Sequence, residues 1–181
     1  IILVQFNFLT ICLGIFSMIF AFSYPFMKRY TYWPQLFLGF TFNWGIVMAY
    51  AAATNQISYL PILLYVGAIF WTLGYDTIYG LQDIHDDEII GVKSTSIKFK
   101  NNVKVFVGIC YSLCVLCILI LGLLMEINKY FLPLSIFFIA SLIYQIKIFN
   151  PDNPRSCLFC FKMNNLTGLF IFLFIFPLNL L

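Results

Sequence analysis

The sequence predicts an all-α membrane protein with six transmembrane helices, and three observations support this. First, 62% of its 181 residues are hydrophobic and only 9% are charged, whereas about a quarter of a soluble domain is charged. Second, the apolar residues form continuous runs close to the roughly 20 residues that a helix needs to cross a bilayer. Third, the basic residues lie almost entirely on one side of those runs. We therefore expect a lipid bilayer, not nucleic acid, as the partner of this chain.

The six predicted spans lie at residues 1–22, 35–53, 59–75, 103–125, 130–149 and 164–181. Short links join them on one side, and longer connections, residues 24–34, 76–102 and 150–163, join them on the other. The first opens at Ile1 without the basic region or cleavage site of a signal peptide, so we expect the chain to be truncated at its N-terminus. Pro34 precedes the second span and Pro133 lies in the first turn of the fifth, where proline is favoured. The absence of repeats or linkers indicates a single domain, residues 1–181.

The second span carries three polar residues, Gln35, Thr41 and Asn43. Polar side chains in a transmembrane helix either hydrogen-bond to neighbouring helices or line a cavity for a substrate. The sequence leaves both interpretations open.

The predicted loops have an asymmetric distribution of charge. Lys129 falls on one side, and the other basic residues fall on the opposite side: Lys28, Arg29, Lys93, Lys98, Lys100, Lys104, Lys147, Arg155 and Lys162. Basic loops face the cytoplasm, or the matrix in mitochondria. The net charge of +3 is therefore a feature of membrane topology.

Five of the seven acidic residues lie in one stretch, residues 74–95. Asp76, Asp83 and Asp87 are seven and four residues apart, so they would share one face if the segment were helical. Carboxylates gathered in this way repel each other, and hard oxygen donors suit Mg²⁺. We expect Asp76 at the membrane edge, since a charge in mid-membrane is costly, with Asp86 as a further ligand. The alternative is a solvated loop with helix-capping acids.

The residues after the acidic stretch offer groups suited to phosphate oxygens. Gly91 provides a turn, Lys93 an ammonium group, and Ser94 and Thr95 hydroxyl groups. We interpret His85 and Glu88 as solvated, and we assign no metal or redox role to the pair Cys157 and Cys160.

Three segments resemble a known family. The string YDTIYGLQDIHDDEIIGVKST is similar to the second aspartate-rich motif of the UbiA superfamily of intramembrane prenyltransferases, although Gly80 stands where alanine is common. Residues 24–53 and 150–173 resemble the 4-hydroxybenzoate polyprenyltransferase branch of that superfamily. The resemblance implies a nine-helix bundle of which this chain supplies helices four to nine. It also places a first motif, of Asn-Asp-x-x-Asp type, before Ile1, so the chain alone would lack half of the implied metal site and its activity alone is in question.

The resemblance further implies Mg²⁺-dependent transfer of a polyprenyl group from its diphosphate to the ring of 4-hydroxybenzoate, ortho to the hydroxyl, in ubiquinone biosynthesis. Asp76 and Asp83 would act in catalysis and, with Asp87 and Asp86, bind the metal ion. The expected substrate-binding residues are Lys93, Lys28, Tyr79 and Ser94, and Arg29 would hold the benzoate carboxylate. Tyr79 could equally serve packing, and Lys28 and Arg29 could equally be topology anchors.

The implied location is the inner membrane of a bacterium or a mitochondrion, with the acidic stretch on the cytoplasmic or matrix side. Two alternatives stay open at this stage. One is another UbiA-type prenyltransferase, of the menaquinone or haem pathway. The other is a divalent-cation transporter whose acidic loop binds its substrate.

Overall fold

The computed structural model describes residues 1–125 and 131–175, and its regular structure there is entirely helical. Nine α-helices follow in order within these residues: α1 (Phe8–Tyr30), α2 (Pro34–Asn43), α3 (Gly45–Thr54), α4 (Tyr59–Tyr79), α5 (Ile84–Ile90), α6 (Thr95–Lys98), α7 (Val103–Leu124), α8 (Phe131–Ile148) and α9 (Pro154–Ile175). Short 3₁₀ turns at Leu3–Gln5 and Lys100–Asn102 precede α1 and α7. The predicted all-α class is confirmed.

Five helical segments of the described residues are long and apolar enough to cross a membrane, so the predicted count of six is corrected. They are Phe8–Tyr30, Pro34–Thr54, Tyr59–Tyr79, Lys100–Leu124 and Pro154–Leu173. The remaining apolar helix, Ser135–Ile148, is shorter.

Helix α8 nevertheless runs antiparallel to both α7 and α9 in the bundle. The Tyr111 hydroxyl on α7 donates to Gln145 Oε1 on α8 (2.8 Å), and Gln145 Nε2 donates to Thr167 Oγ1 on α9 (3.0 Å). Nearer the basic end, Lys104 Nζ lies 5.4 Å from the centre of the Phe149 ring. The basic ends of these helices therefore lie together.

Three of the predicted loops are partly helical, and one of them, residues 76–102, contains α5 and α6. Helix α1 continues through Pro25 to Tyr30 and so includes Lys28 and Arg29 in its last turn, where positive charges interact favourably with the helix dipole. Helix α9 begins at Pro154, ten residues before its predicted start, because Asn153 Oδ1 accepts the Arg155 N–H (3.1 Å) and proline suits the first helical position.

The third transmembrane segment, α4, forms the centre of the fold, packed against α2, α7 and α9. Two glycines allow α7 to approach it closely. A Cβ atom added to Gly67 would lie 3.0 Å from Cys117 Cβ, and one added to Gly74 would collide with the Tyr111 ring. Small residues serve this purpose in membrane helices because they let two backbones come together.

The second span breaks into α2 and α3 at Trp44. Its indole N–H donates to the Leu13 carbonyl (3.0 Å), and its ring contacts Tyr65 edge to face. Next to the break, Asn43 Nδ2 donates to Thr72 Oγ1 of α4 (2.8 Å). These bonds hold Asn43 at the interior of the bundle.

Candidate active site

The acidic stretch folds as a helix end, a turn and a short helix, not as one continuous helix. Helix α4 ends at Tyr79, with the Gly80 N–H bonded to the Asp76 carbonyl (2.9 Å). Asp83 flanks the start of α5, and Asp87 lies in its first turn. The turn folds α5 back toward the end of α4, so the three aspartates face a common space.

That space is a cavity of about 90 Å³ at the basic end of the bundle. Its lining combines residues of α1, α2, α4, the turn and α5: Tyr24, Lys28, Pro34, Gln35, Asp76, Tyr79, Gly80, Asp83 and Asp87. Five of these were expected at the site from the sequence, namely Asp76, Asp83, Asp87, Lys28 and Tyr79. Lys28, near the end of α1, supplies a positive charge in the same cavity as the three aspartate carboxylates.

The other residues predicted for the site lie outside the lining of this cavity. Asp86 and Arg29 are exposed. Lys93 bonds to the end of α1, through its N–H to the Lys28 carbonyl (2.8 Å) and its Nζ to the Tyr30 carbonyl (3.4 Å). Ser94 is buried and caps α6 by accepting the Ile97 N–H (3.2 Å). In this structure Lys93 and Ser94 attach the loop to the bundle.

Four residues of the cavity were not predicted as site residues, namely Tyr24, Pro34, Gln35 and Gly80. Gln35 is only 4% exposed, and its Oε1 accepts the Thr95 N–H (3.0 Å). The position of Gln35 in an apolar span indicated a specific role. The sequence could not distinguish a hydrogen bond to a neighbouring helix from a place in the wall of a cavity. Tyr24 carried no signal, because tyrosine is common near membrane interfaces.

The donor chemistry of the cavity fits Mg²⁺, which prefers oxygen ligands and is usually held by one or two carboxylates together with water and phosphate. Asp76, Asp83 and Asp87 are the residues that would hold it. No three such side chains in residues 1–125 and 131–175 converge tightly enough to form a complete metal site. Glu88 is engaged elsewhere, in an ion pair with Lys100 (2.8 Å), and His85 is exposed.

Two further cavities among the described helices lie along α4, deeper in the bundle than this site. The Tyr79 ring lies 4.5 Å from the Phe161 ring, and Phe161 lines a cavity of about 280 Å³ that also contacts Tyr75. Asn43 and Trp71 line that cavity and the next one, which measures about 390 Å³. This larger cavity is almost wholly apolar, with Ile46, Leu64, Ala68, Cys114, Ile118, Gly168, Ile171 and Phe172 completing its wall.

Several curated proteins are similar to this chain. A 4-hydroxybenzoate octaprenyltransferase of Marinobacter nauticus is 38% identical over 168 residues, covering 92% of this chain and 57% of that protein. One of Xylella fastidiosa is 39% identical over 166 residues, with 92% and 56% covered. A mitochondrial 4-hydroxybenzoate polyprenyltransferase of Aedes aegypti is 38% identical over 174 residues, with 95% and 39% covered.

The chain thus spans between about two fifths and three fifths of the length of these relatives. No solved structure matches it. The sequence profile of the UbiA prenyltransferase family, however, matches residues 1–174. Since that match takes in almost the whole chain, including every residue of the acidic cavity, this protein belongs to the UbiA prenyltransferase family.

Proposed function

We propose that this chain takes part in transferring a polyprenyl group from its diphosphate to the ring of 4-hydroxybenzoate, ortho to the hydroxyl, as a step of ubiquinone biosynthesis. The observation that carries the proposal is the meeting of Asp76, Asp83, Asp87 and Lys28 around one cavity, in a chain whose relatives are named as enzymes of this reaction. No observation of this kind favours a prenyltransferase of the menaquinone or haem pathway, and none favours a cation transporter.

Charge determines which part of the substrate this end of the bundle can hold. A diphosphate is strongly anionic and would be repelled by three carboxylates alone, so this site would need a divalent cation to hold it. When bound, Mg²⁺ would neutralise the diphosphate and make it a better leaving group. Asp76, Asp83 and Asp87 would hold the cation, and Lys28 would contact an anionic oxygen directly as a compact positive charge.

The remaining predicted residues have roles at the rim of this site. Arg29 follows Lys28 at the end of α1, and its planar guanidinium matches a carboxylate in a paired geometry that lysine cannot form. We propose that it binds the carboxylate of 4-hydroxybenzoate. Lys93 keeps the loop against α1 and Ser94 caps α6, and Lys93, whose ammonium group has three donors, would become a second cation for the diphosphate if its side chain turned toward the cavity.

The polyprenyl tail needs an apolar space that continues from the acidic cavity. The cavity of about 390 Å³ bordered by Trp71 and Ala68 has this character, and the cavity beside Tyr75 and Phe161 lies between the two. We propose that the tail occupies this path, so that the reacting carbon of the chain lies near Tyr79.

The membrane in which the reaction takes place follows from the same proposal. Five apolar helices among the described residues make this an integral membrane protein, and relatives occur in bacteria and mitochondria. The basic ends of the helices and the acidic cavity lie at the same end of the bundle, so we propose that the site faces the cytoplasm or the matrix, by the positive-inside rule.

The proposal can be tested in membranes of a host that lacks its own 4-hydroxybenzoate prenyltransferase. The chain, together with any residues that precede Ile1 in its gene, is expressed and supplied with labelled 4-hydroxybenzoate and a polyprenyl diphosphate. We expect a prenylated product that disappears with EDTA and returns with Mg²⁺. Preference for a naphthoate or porphyrin acceptor would contradict the proposed substrate, and cation flux through vesicles without any prenylated product would favour transport.

A further inference from the structure

The buried amide of Gln35 has two ends in different surroundings. Its Oε1 accepts the Thr95 N–H at 3.0 Å. A backbone N–H can only donate, so this bond fixes which end of the amide is oxygen and turns the NH₂ group the other way. Gln35 is 4% exposed, so solvent does not decide its orientation.

The NH₂ group of Gln35 finds no acceptor among residues 1–125 and 131–175, although the residue lines the acidic cavity. Its Nε2 lies 3.5 Å from the position that a Cβ atom on Gly80 would occupy, at the turn beneath that cavity. A buried donor without an acceptor destabilises the folded state. Such a donor, aimed into a cavity, calls for an acceptor that arrives with a ligand.

We propose that Gln35 donates a hydrogen bond to an anionic oxygen of the diphosphate, which makes it a substrate-binding residue of this site. This inference rests on the proposed function, since it assumes that a diphosphate occupies the cavity. The three aspartates would be occupied by the cation, and as carboxylates they cannot donate a hydrogen bond to the diphosphate. A phosphate oxygen carries negative charge, and without Gln35 it would lack a donor that is fixed in position. The amide adds a directional bond to the non-directional charge of Lys28.

The bond to Thr95 explains how an uncharged side chain could be held in position for this role. Thr95 starts α6 and is fully buried, with its hydroxyl 2.7 Å from that of Thr77 on α4. Gln35 is thereby attached to two other elements of the fold before any substrate binds. A donor whose position is already fixed loses little entropy when it binds.

Titration of the purified protein, expressed with any residues that precede Ile1 in its gene, with inorganic pyrophosphate and Mg²⁺ in detergent tests the inference without any turnover. In Gln35→Glu the carboxylate still accepts the Thr95 N–H but has no donor and adds a negative charge. We expect its dissociation constant for pyrophosphate to rise at least about tenfold, as for the loss of a hydrogen bond to a charged group.

The matched control is Gln82→Glu, which makes the same chemical change in the turn before α5. Gln82 donates to the Tyr79 carbonyl (3.1 Å) and does not line the cavity. We expect its dissociation constant to stay within about twofold of that of the unmodified chain, because a charge outside the cavity is more strongly screened by water and salt. Equal weakening in both variants would overturn the inference, since it would show a general effect of charge.

A second variant, Gln35→Asn, shortens the side chain by one methylene group and so moves the amide, without changing the charge. We expect it to weaken pyrophosphate binding as well, with thermal stability in detergent measured alongside to show that the protein is folded. Unchanged binding in both Gln35 variants would overturn the inference. So would weaker binding of 4-hydroxybenzoate with unchanged binding of pyrophosphate, because the acceptor would then be the benzoate carboxylate.

The same titration separates this inference from the proposed function. If the unmodified chain binds no pyrophosphate with Mg²⁺, the proposed function fails and the inference fails with it. If the unmodified chain binds pyrophosphate and Gln35→Glu binds it equally well, only the role of Gln35 fails.

Discussion

At the scale of single residues, the four aspartates of the motif are not equivalent. Asp76 is half-buried at the end of α4 and lines the cavity, whereas Asp86, on the first turn of α5, is exposed and lies outside its lining. Only a carboxylate that faces the cavity can hold a cation against a diphosphate. The position of each aspartate should therefore decide the effect of its replacement.

We predict that Asp76→Asn and Asp83→Asn each lower prenylation at least about tenfold and raise the Mg²⁺ concentration needed for half-maximal rate, because loss of even an indirect metal contact typically has that effect. Asp86→Asn, the matched control, should stay close to the unmodified rate. The measurement is product formation against Mg²⁺ concentration. An Asp86 variant as impaired as the Asp76 variant would show that net charge, not position, matters.

Gly80 and Ser96 form a second residue pair with a testable coupling. A Cβ atom on Gly80 would lie 2.5 Å from Ser96 Oγ, and that hydroxyl is held by its bond to the Thr77 carbonyl (2.8 Å) with no exposed surface. Rotating Ser96 away would break this buried bond. The missing Cβ at position 80, where alanine is common in the family motif, is therefore explained by the serine opposite it.

We predict that Gly80→Ala lowers the free energy of unfolding by about 1–3 kcal/mol, the usual effect of overpacking. In Gly80→Ala with Ser96→Ala most of this loss should be recovered, because the second change removes the colliding oxygen. Unfolding of the two single variants and the double variant in mixed micelles gives the coupling free energy. Strictly additive effects would mean that the two residues do not compete for space.

At the scale of elements, the packing of α4 on α7 depends on Gly74. The Tyr111 ring that faces it is fully buried, and its hydroxyl is bonded to Gln145. An added methyl group would have to displace that ring and disturb the bond to α8. At Gly108, on α7 itself, an added Cβ atom would have no heavy atom within 4 Å, so this glycine provides a matched comparison.

We predict that Gly74→Ala destabilises the bundle by about 1–3 kcal/mol, whereas Gly108→Ala is neutral or stabilising by up to about 1 kcal/mol, since alanine favours a helix more than glycine does. Thermal unfolding in detergent would measure both. Similar stabilities of the two variants would contradict the close approach of α4 and α7.

The elements themselves show how far the sequence could predict the fold. Hydropathy located the apolar runs, but it placed the end of α4 at residue 75 because Asp76 interrupts the run, although the helix continues to Tyr79. It missed the first half of α9 for the same reason, since Arg155 and Lys162 lie inside that helix. Polar residues at a membrane edge end a hydrophobic run without ending the helix.

At the scale of the whole molecule, the acidic site was predictable and the apolar path was not. Motif spacing identified Asp76, Asp83 and Asp87, because carboxylates are rare in this chain and their chemistry is specific. Residues such as Ala68 and Trp71 look the same whether they face lipid, the core or a cavity. Only the arrangement of α2, α4, α7 and α9 distinguishes a cavity wall from a lipid-facing surface.

That arrangement predicts which lengths of polyprenyl chain the cavity can hold. Ala68 lies two turns below Asp76 on α4, about 12 Å along the helix axis, and borders the cavity of about 390 Å³. We expect Ala68→Phe to block the path at that depth, so that long polyprenyl diphosphates lose at least about tenfold in kcat/KM while short ones are hardly affected. Such discrimination corresponds to about 1.4 kcal/mol in the transition state.

The control is Ala21→Phe on α1, which makes the same change at an exposed position outside the cavity lining. It should leave the preference for the length of the polyprenyl chain unchanged, because Phe outside the cavity does not narrow the path. Competition between a short and a long diphosphate in the same membranes measures the preference directly. If Ala68→Phe slows both substrates equally, the tail does not pass Ala68, and it would have to leave the acidic cavity by another route, between the helices and into the lipid.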